Sequence, residues 1–246
     1  MKALILAAGY ATRLYPLTSN RPKPLLKIGG IPIIDHIVEK IARVKEIKEI
    51  IIISNGKFFN HFKKWAKNSY FKKRLSVIND KSTCAEDRLG AIGDIKYVLN
   101  RKQLTDDILV VGGDNLFTFE LSDFVKFAHA KRPASCVGLY DLRVCTSTRR
   151  YGTVKINRKY RIVNFAEKNK HPVSTLVSMC LYYLTQQTLL RIDEYLKGGN
   201  NSDAPGYFIS WLYKQEPVWG CVLNGEWYDI GDIISFYHAN VTYPLK

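Results

Sequence analysis

Residues 2–14, KALILAAGYATRL, decide the fold that this sequence predicts. The apolar run at 2–7 is typical of a buried strand, and small residues follow at 7, 8, 9 and 11. Small residues let a backbone approach a ligand closely, and their N–H groups can face phosphates. Ligands commonly bind beyond the carboxyl ends of strands in an open α/β sheet. We predict a phosphate or nucleotide site at Ala7, Ala8 and Gly9, with a flexible turn between surface cations as the alternative.

Short apolar runs alternate with helical patterns along the rest of the chain. The predicted strands are 2–7, 49–54, 107–111, 134–140 and 175–184. The predicted helices are 33–45, 58–67, 90–99 and 121–131, and another begins near Pro205. This alternation favours an α/β domain with a mainly parallel sheet. Residues 152–157 and 160–166 predict a hairpin, and therefore a small antiparallel insertion. No repeat or linker divides the sequence, so we expect one domain over 1–246.

The charge balance indicates an anionic ligand. Lys and Arg number 37 against 22 Asp and Glu, which gives a formal net charge of +15. Such a field attracts nucleotides, sugar phosphates, nucleic acid or acidic membranes without choosing among them. Part of the excess is expected on solvated surface, at Lys63, Lys64, Lys67, Lys72, Lys73 and Arg74.

The cysteine content and the hydropathy of the sequence limit the cellular environments in which the protein is expected. The 5 cysteines include no C-x-x-C spacing, which indicates a reduced, cytoplasmic environment. No apolar run approaches the roughly 20 residues that span a bilayer. The aromatic residues Tyr237 and Tyr243 are expected to be exposed, which leaves a homo-oligomer open.

Four motifs carry a resemblance to a known family. Residues 6–27, LAAGYATRLYPLTSNRPKPLLK, resemble the N-terminal motif of the nucleotidylyltransferases that make NDP-sugars, such as glucose-1-phosphate thymidylyltransferase and UTP–glucose-1-phosphate uridylyltransferase. GGDN at 112–115, FAEK at 165–168 and WYDIG at 227–231 resemble further motifs of the same enzymes. Lys27 departs from the pattern, since members usually carry Pro there. The resemblance implies a single Rossmann-like domain of the GT-A type, without the C-terminal β-helix domain of some members.

The resemblance also implies roles for individual residues. Magnesium would be held by Asp114 and Asp229. The implied catalytic residues are Arg13, Lys23 and Lys168. The implied nucleotide-binding residues are Ala7, Ala8, Gly9, Arg13, Lys23, Gly90 and Asp114. The implied sugar-phosphate-binding residues are Asn115, Tyr151, Gly152, Glu167 and Lys168. In this scheme Arg13 neutralises the departing pyrophosphate, and Glu167 accepts hydrogen bonds from sugar hydroxyls.

The implied reaction joins a nucleoside triphosphate to a sugar 1-phosphate with Mg²⁺ and releases pyrophosphate. UTP or dTTP is favoured, because the members most similar in the N-terminal motif use them. CTP or GTP with another phosphorylated small molecule stays open, because Glu86, Asp87 and Arg88 depart from the thymidylyltransferase pattern. A GT-A glycosyltransferase is less favoured, since the sequence lacks the Asp-x-Asp motif typical of those enzymes. Neither nucleic acid nor a membrane is expected as a partner.

Overall fold

The structure is a computed structural model that describes residues 1–172 and 174–244, without the side chains of 145–147. The strands in the described residues are β1 (Lys2–Leu6), β2 (Lys27–Ile28), β3 (Ile31–Pro32), β4 (Glu49–Ser54), β5 (Leu75–Asn79), β6 (Ile108–Gly112), β7 (Asn115–Phe117), β8 (Ser135–Asp141), β9 (Gly152–Ile156), β10 (Ile162–Glu167), β11 (Leu176–Leu184), β12 (Val218–Val222) and β13 (Trp227–Asp229). The α-helices are α1 (Ile33–Ala42), α2 (Phe59–Asn68), α3 (Gly90–Lys102), α4 (Leu121–Lys131), α5 (Gln186–Lys197), α6 (Pro205–Leu212) and α7 (Ile233–Thr242). Every strand and helix that the sequence predicts is present, with small differences at the ends.

The described chain forms two compact units, each assembled from separate segments. The first unit comprises Met1–Arg88, Val111–Leu121 and Gly225–Lys246. The second comprises Leu89–Val110 and Ser122–Asn224. The expectation of a single domain over 1–246 stays a prediction.

The first unit is built on parallel strands in the order β6-β1-β4-β5, to which β6 contributes its last two residues. β4 pairs in parallel with both β1 and β5. Its four isoleucines, residues 50–53, are fully buried, as expected for a strand covered on both faces. α1 buries the apolar side chains of Ile33, Ile34, Ile37, Val38 and Ile41. The helix ends at Ala42, earlier than the predicted 45.

The cations near α2 are not all solvated. The five lysines of the predicted set, at 63, 64, 67, 72 and 73, are exposed as expected. Arg74 is instead half-buried, and its guanidinium donates hydrogen bonds to the carbonyl oxygens of Ala42 and Ile47. The prediction of a solvated Arg74 is therefore wrong, because these two carbonyl groups recruit the side chain.

The second unit is a mixed sheet in the order β10-β9-β11-β8-β12. β9 and β10 form the predicted antiparallel hairpin, in which Gly152 lies opposite Glu167. α6 packs on β10, where the Ser210 hydroxyl donates to the carbonyl oxygen of Phe165 over 3.0 Å. The hairpin and α6 thereby position the FAEK segment.

Of the two tyrosines that were expected to be exposed, one is exposed and the other is half-buried. Tyr237 on α7 is exposed, as predicted. Tyr243 is half-buried, because its ring lies against His36 and Tyr228 with centroid distances of 5.1 and 5.5 Å. The prediction of an exposed Tyr243 is wrong. Among the residues that the structure describes, no helix is long and apolar enough to cross a bilayer.

Candidate active site

The loop after β1 is rigid at its start and open at Gly9. Ala7 donates its N–H to the carbonyl oxygen of Ile53 over 3.0 Å, and the Asn55 amide donates to the carbonyl oxygen of Ala8 over 2.9 Å. Both alanines are buried. Gly9 is exposed, and a Cβ atom added to it would meet nothing within 4 Å. The backbone at Gly9 is therefore accessible to a ligand.

Gly113 brings Asp114 close to this loop. Its N–H donates to the carbonyl oxygen of Leu6 over 2.9 Å, at the end of β1. A Cβ atom on Gly113 would lie only 2.7 Å from that same oxygen, so a side chain would force the two segments apart. The close approach of the GGDN segment to β1 therefore requires glycine at this position.

Lys23 cross-links two of the motifs. Its Nζ donates to Asp114 Oδ2 over 2.5 Å and to the carbonyl oxygen of Ile230 over 2.9 Å. Ile230 follows Asp229, and its N–H approaches the carbonyl oxygen of Asp114 at 3.3 Å. An ammonium group has three protons to donate, so one remains for a ligand. The expected contact between Lys23 and phosphate stays a prediction.

Asp229 and Arg13 lie beside each other. The Asp229 carboxylate is 3.4 Å, and the Arg13 guanidinium 4.0 Å, from the point that a Cβ atom on Gly231 would occupy. Arg13 is exposed and forms no hydrogen bond or ion pair with any described residue. The first unit thus gathers two carboxylates and two cations, and one of these cations is unpaired in the part of the chain that is described.

Asn115 connects GGDN with WYDIG through its side chain. It is buried, it lies opposite Asp229 in the β7–β13 pair, and its Oδ1 accepts a hydrogen bond from Trp227 Nε1 over 3.1 Å. This bond gives both Asn115 and Trp227 a structural role that sequence reasoning missed. The sugar-phosphate contact assigned to Asn115 stays a prediction.

The acidic residues of the first unit suit magnesium. Asp114 and Asp229 supply hard carboxylate oxygens, which Mg²⁺ prefers. Within the described residues, no group of three or more His, Cys, Asp or Glu side chains could enclose a metal ion. Mg²⁺ often takes only one or two protein carboxylates and completes its shell with water and phosphate oxygens. Two aspartates on adjoining segments therefore fit a magnesium ion shared with a phosphorylated substrate.

The loop before α3 is stabilised by hydrogen bonds to the carboxylate of Asp87, one of its own residues. Asp87 accepts hydrogen bonds from the N–H groups of Thr83 and Cys84 over 2.9 and 3.0 Å, and these bonds lower its pKa to about 2. Arg88 donates to the carbonyl oxygen of Ala85 over 3.0 Å. Asp87 and Arg88, which depart from the family pattern, therefore stabilise their own turn. Their hydrogen bonds explain these residues without any contact to the base of a nucleotide.

Glu167 is a half-buried carboxylate of the second unit. A Cβ atom on Gly152 would lie 2.6 Å from Glu167 Oε2, so the carboxylate occupies the space that a side chain at 152 would need. Burial raises the pKa of Glu167, Lys168 opposes this shift, and Asp203 adds to it. Sequence reasoning predicted Glu167 and Gly152 as neighbours in function, and the structure places them in contact.

Lys168 lies at the rim of this carboxylate. Its backbone is left-handed, with φ of 49°, and its N–H donates to the carbonyl oxygen of Tyr151 over 3.2 Å. The half-exposed Nζ stands 3.9 Å from Asp203 Oδ2. Tyr151, Gly152, Glu167 and Lys168 are therefore adjacent, and Asp203 is an acidic neighbour that the sequence did not indicate.

Gly90 has a structural explanation. Its φ of 76° favours glycine, and a Cβ atom would lie 2.5 Å from the carbonyl oxygen of Ser202. The same oxygen accepts the N–H of Ile92 over 2.9 Å, and the carbonyl oxygen of Asp203 accepts that of Ala91 over 3.2 Å. The loop before α6 thus caps the start of α3. The predicted role of Gly90 in nucleotide binding stays a prediction.

Comparison with known proteins places these residues in context. The pattern of the nucleotidyl transferase family matches residues 2–245. The bifunctional protein GlmU of Methanocaldococcus jannaschii is 30% identical over 243 residues, which are 98% of this chain and 53% of that protein. A Sulfolobus acidocaldarius protein, provisionally named mannose-1-phosphate guanyltransferase, is 32% identical over 243 residues, which are 98% of this chain and 62% of its own.

A solved structure supports the fold. UDP-glucose pyrophosphorylase complexed with UDP-glucose superposes with a TM-score of 0.84, at 20% identity, over 98% of this chain and 97% of that one. This likeness confirms the predicted Rossmann-like fold with a mixed sheet flanked by helices. The chain spans little more than half the length of the curated relatives it matches.

Proposed function

Because the chain belongs to the nucleotidyl transferase family, we propose that it transfers the nucleotidyl group of a nucleoside triphosphate to a sugar 1-phosphate and releases pyrophosphate. The observation that carries this proposal is the cluster of Arg13, Lys23, Asp114 and Asp229 in the first unit, beside the open backbone of Gly9. Two carboxylates for a metal ion and two cations for phosphates suit a triphosphate ligand.

The reaction requires positioning and charge stabilisation rather than a protein nucleophile. An oxygen of the sugar phosphate attacks the α-phosphorus, and the bond from that phosphorus to the pyrophosphate oxygen breaks. The backbone of Ala7, Ala8 and Gly9 in the first unit is proposed to bind the nucleotide, and Gly90 of the second unit is proposed as a further nucleotide-binding residue. Arg13 stabilises the negative charge that grows on the departing pyrophosphate, and the third proton of Lys23 binds a phosphate oxygen.

Asp114 and Asp229 would hold Mg²⁺, which would supply positive charge to stabilise the phosphates of the nucleotide. Lys23 keeps Asp114 close to Asp229 through its bonds to Asp114 and to the Ile230 carbonyl oxygen. The lysine therefore orients a metal ligand as well as binding phosphate.

The second unit provides the residues for the sugar phosphate. Lys168 binds the phosphate group, and the Glu167 carboxylate accepts hydrogen bonds from sugar hydroxyls beside Tyr151 and Gly152. The partly buried carboxylate next to an exposed ammonium supports this division, since one suits hydroxyl donors and the other an anion. Asn115 of the first unit is proposed separately as a sugar-phosphate-binding residue.

We propose UTP or dTTP as the nucleotide, with CTP or GTP as the alternative. The N-terminal motif supports a pyrimidine. Gly90 lends no support to either, because its contacts with Ser202 already explain the glycine. A relative provisionally named a guanyltransferase supports the alternative. A cytoplasmic setting is also proposed, and the free cysteines among the described residues, Cys84, Cys136, Cys180 and Cys221, are compatible with it.

The direct test is pyrophosphate release from each of four nucleoside triphosphates mixed with a panel of sugar 1-phosphates and Mg²⁺. We expect release with at least one pair, and a preference for UTP or dTTP. Asp114→Asn and Asp229→Asn should nearly abolish release while the circular dichroism spectrum stays native. Asp123→Asn is the matched control, because Asp123 lies exposed on α4. Absence of release from every pair, or near-normal rates in both site variants, would refute the proposal.

A further inference from the structure

The Glu167 carboxylate lies against two glycines that come from different elements. Gly152 begins β9, and Gly206 lies in the first turn of α6. A Cβ atom on Gly206 would overlap Glu167 Oε2 and lie 2.7 Å from its Cδ, while one on Gly152 would lie 2.6 Å from Oε2. Neither position can carry a side chain while the carboxylate stays where it is.

Backbone conformation does not explain Gly206. Its φ lies outside the left-handed region, so alanine could adopt the same backbone. Within a helix, glycine is less stable than alanine by about 0.5–1 kcal/mol. The ring of Phe165 would be 3.2 Å from the added Cβ atom, a tight contact, whereas Glu167 Oε2 would overlap that atom. The carboxylate of Glu167 is therefore the group that excludes a side chain at 206.

The helix that carries Gly206 is held in place on two sides. Ser210 ties α6 to the carbonyl oxygen of Phe165, two residues before Glu167. The residues just before α6 are fixed to α3, where the Ser202 hydroxyl donates to the carbonyl oxygen of Leu89 over 2.9 Å. A side chain at 206 would therefore displace the carboxylate rather than the helix.

We propose that Gly152 and Gly206 form a glycine seat that fixes the Glu167 carboxylate in one orientation, and that Gly206 is a positioning residue for the sugar of the substrate. This inference rests on the proposed function. A carboxylate held on one side by the seat directs its remaining lone pairs toward a fixed pair of sugar hydroxyls. The seat therefore determines which arrangement of hydroxyl groups on the sugar 1-phosphate is accepted.

The kinetic test is Gly206→Ala, measured against sugar phosphate and nucleotide separately. We expect KM for the sugar phosphate to rise about tenfold, the loss of one hydrogen bond, while KM for the nucleotide changes less than about twofold. Preference between sugar 1-phosphates that differ at one hydroxyl should weaken. In a Glu167→Ala background, adding Gly206→Ala should cause no further loss, since the displaced group is gone. Equal losses in the two backgrounds, or wild-type kinetics for Gly206→Ala, would overturn the inference.

A melting-temperature cycle tests the seat without any substrate. Gly206→Ala should lower the melting temperature of the wild type, yet leave that of Glu167→Ala unchanged or slightly raised, because alanine favours the helix. An identical shift in both backgrounds would contradict the seat. If Gly206→Ala alone does not fold, the inference still requires the double variant to fold as well as Glu167→Ala. A wild type that releases no pyrophosphate would refute the proposed function but leave this cycle informative.

Discussion

Lys23→Met is the substitution that tests the first unit most directly. The ammonium of Lys23 donates to Asp114 Oδ2 over 2.5 Å and to the carbonyl oxygen of Ile230 over 2.9 Å. The lysine side chain is 15% exposed and the aspartate side chain 30%. Methionine keeps much of the apolar stem and removes both bonds. The change therefore isolates the charge from the packing.

The expected loss of stability follows from these contacts. A hydrogen bond to a charged group contributes about 1.5–3 kcal/mol, and the partial exposure of Asp114 lets water replace part of this. We expect the free energy of unfolding to fall by about 2–3 kcal/mol, which is less than the roughly 3–6 kcal/mol of two full bonds because water compensates part of the loss. For a chain of this size, each kcal/mol lowers the melting temperature by about 2–4 °C. Turnover should also fall steeply, because Asp114 loses the contact that orients it.

Urea denaturation and pyrophosphate release measure the two effects. Lys27→Met is the matched control, since Lys27 is an exposed lysine of the same motif and should change stability by less than about 0.5 kcal/mol. In an Asp114→Asn background the cost of Lys23→Met should shrink, because one of its two partners is already altered. Equal costs in both backgrounds, or a Lys23→Met protein as active as Lys27→Met, would refute the reasoning.

The remaining predictions concern Glu167 and Lys168 of the second unit, with Arg13 of the first unit for comparison. Burial raises the pKa of Glu167 in the folded state above its ordinary value of 4.5, which applies to the unfolded state. Between these two pKa values the folded state binds more protons than the unfolded state. The free energy of unfolding of the wild type therefore falls as the pH rises through the pKa of the folded state. Glu167→Gln should therefore gain melting temperature over the wild type at about pH 8 relative to about pH 4, and a pH-independent difference would contradict this. Lys168→Met should weaken sugar phosphate binding roughly ten- to a hundredfold, equivalent to about 1.5–3 kcal/mol, and should change nucleotide affinity little. Arg13→Ala should instead mainly lower kcat. Titration calorimetry and steady-state kinetics separate these patterns, and a Lys168→Met protein that loses nucleotide affinity alone would show the assignment to be wrong.

A strand is easiest to predict from the sequence when all of its side chains are buried, and β4 is an example. Residues 50–53 are isoleucines that are buried on both faces of a parallel sheet, so the apolar run itself identifies β4. Eight of the strands and α-helices in the described residues were not predicted, namely β2, β3, β5, β7, β12, β13, α5 and α7. β13 has three half-buried residues, and α7 begins at an Asp232–Ser235 capping box that the sequence analysis did not consider.

Contacts between distant residues were not predictable from local patterns. Lys23 and Asp114 are 91 residues apart, and Ser202 meets Leu89 across 113. No periodicity encodes such pairs, since each depends on how whole segments pack. Asp203 near Lys168 and Gly206 against Glu167 are further examples, because the local sequence pattern encodes neither contact.

The glycines at and near the candidate site differ in whether contacts within the protein explain them. Gly113, Gly90 and Gly206 each face a protein atom that would collide with a side chain, so packing alone accounts for them. Gly9 differs, because its backbone is not left-handed and a Cβ atom there would meet nothing within 4 Å. Packing within the described residues supplies no reason for glycine at this position. A side chain at Gly9 would instead occupy open space beside the exposed loop. We therefore propose that the small size of Gly9 serves an incoming ligand, as the prediction of a nucleotide site at this loop requires.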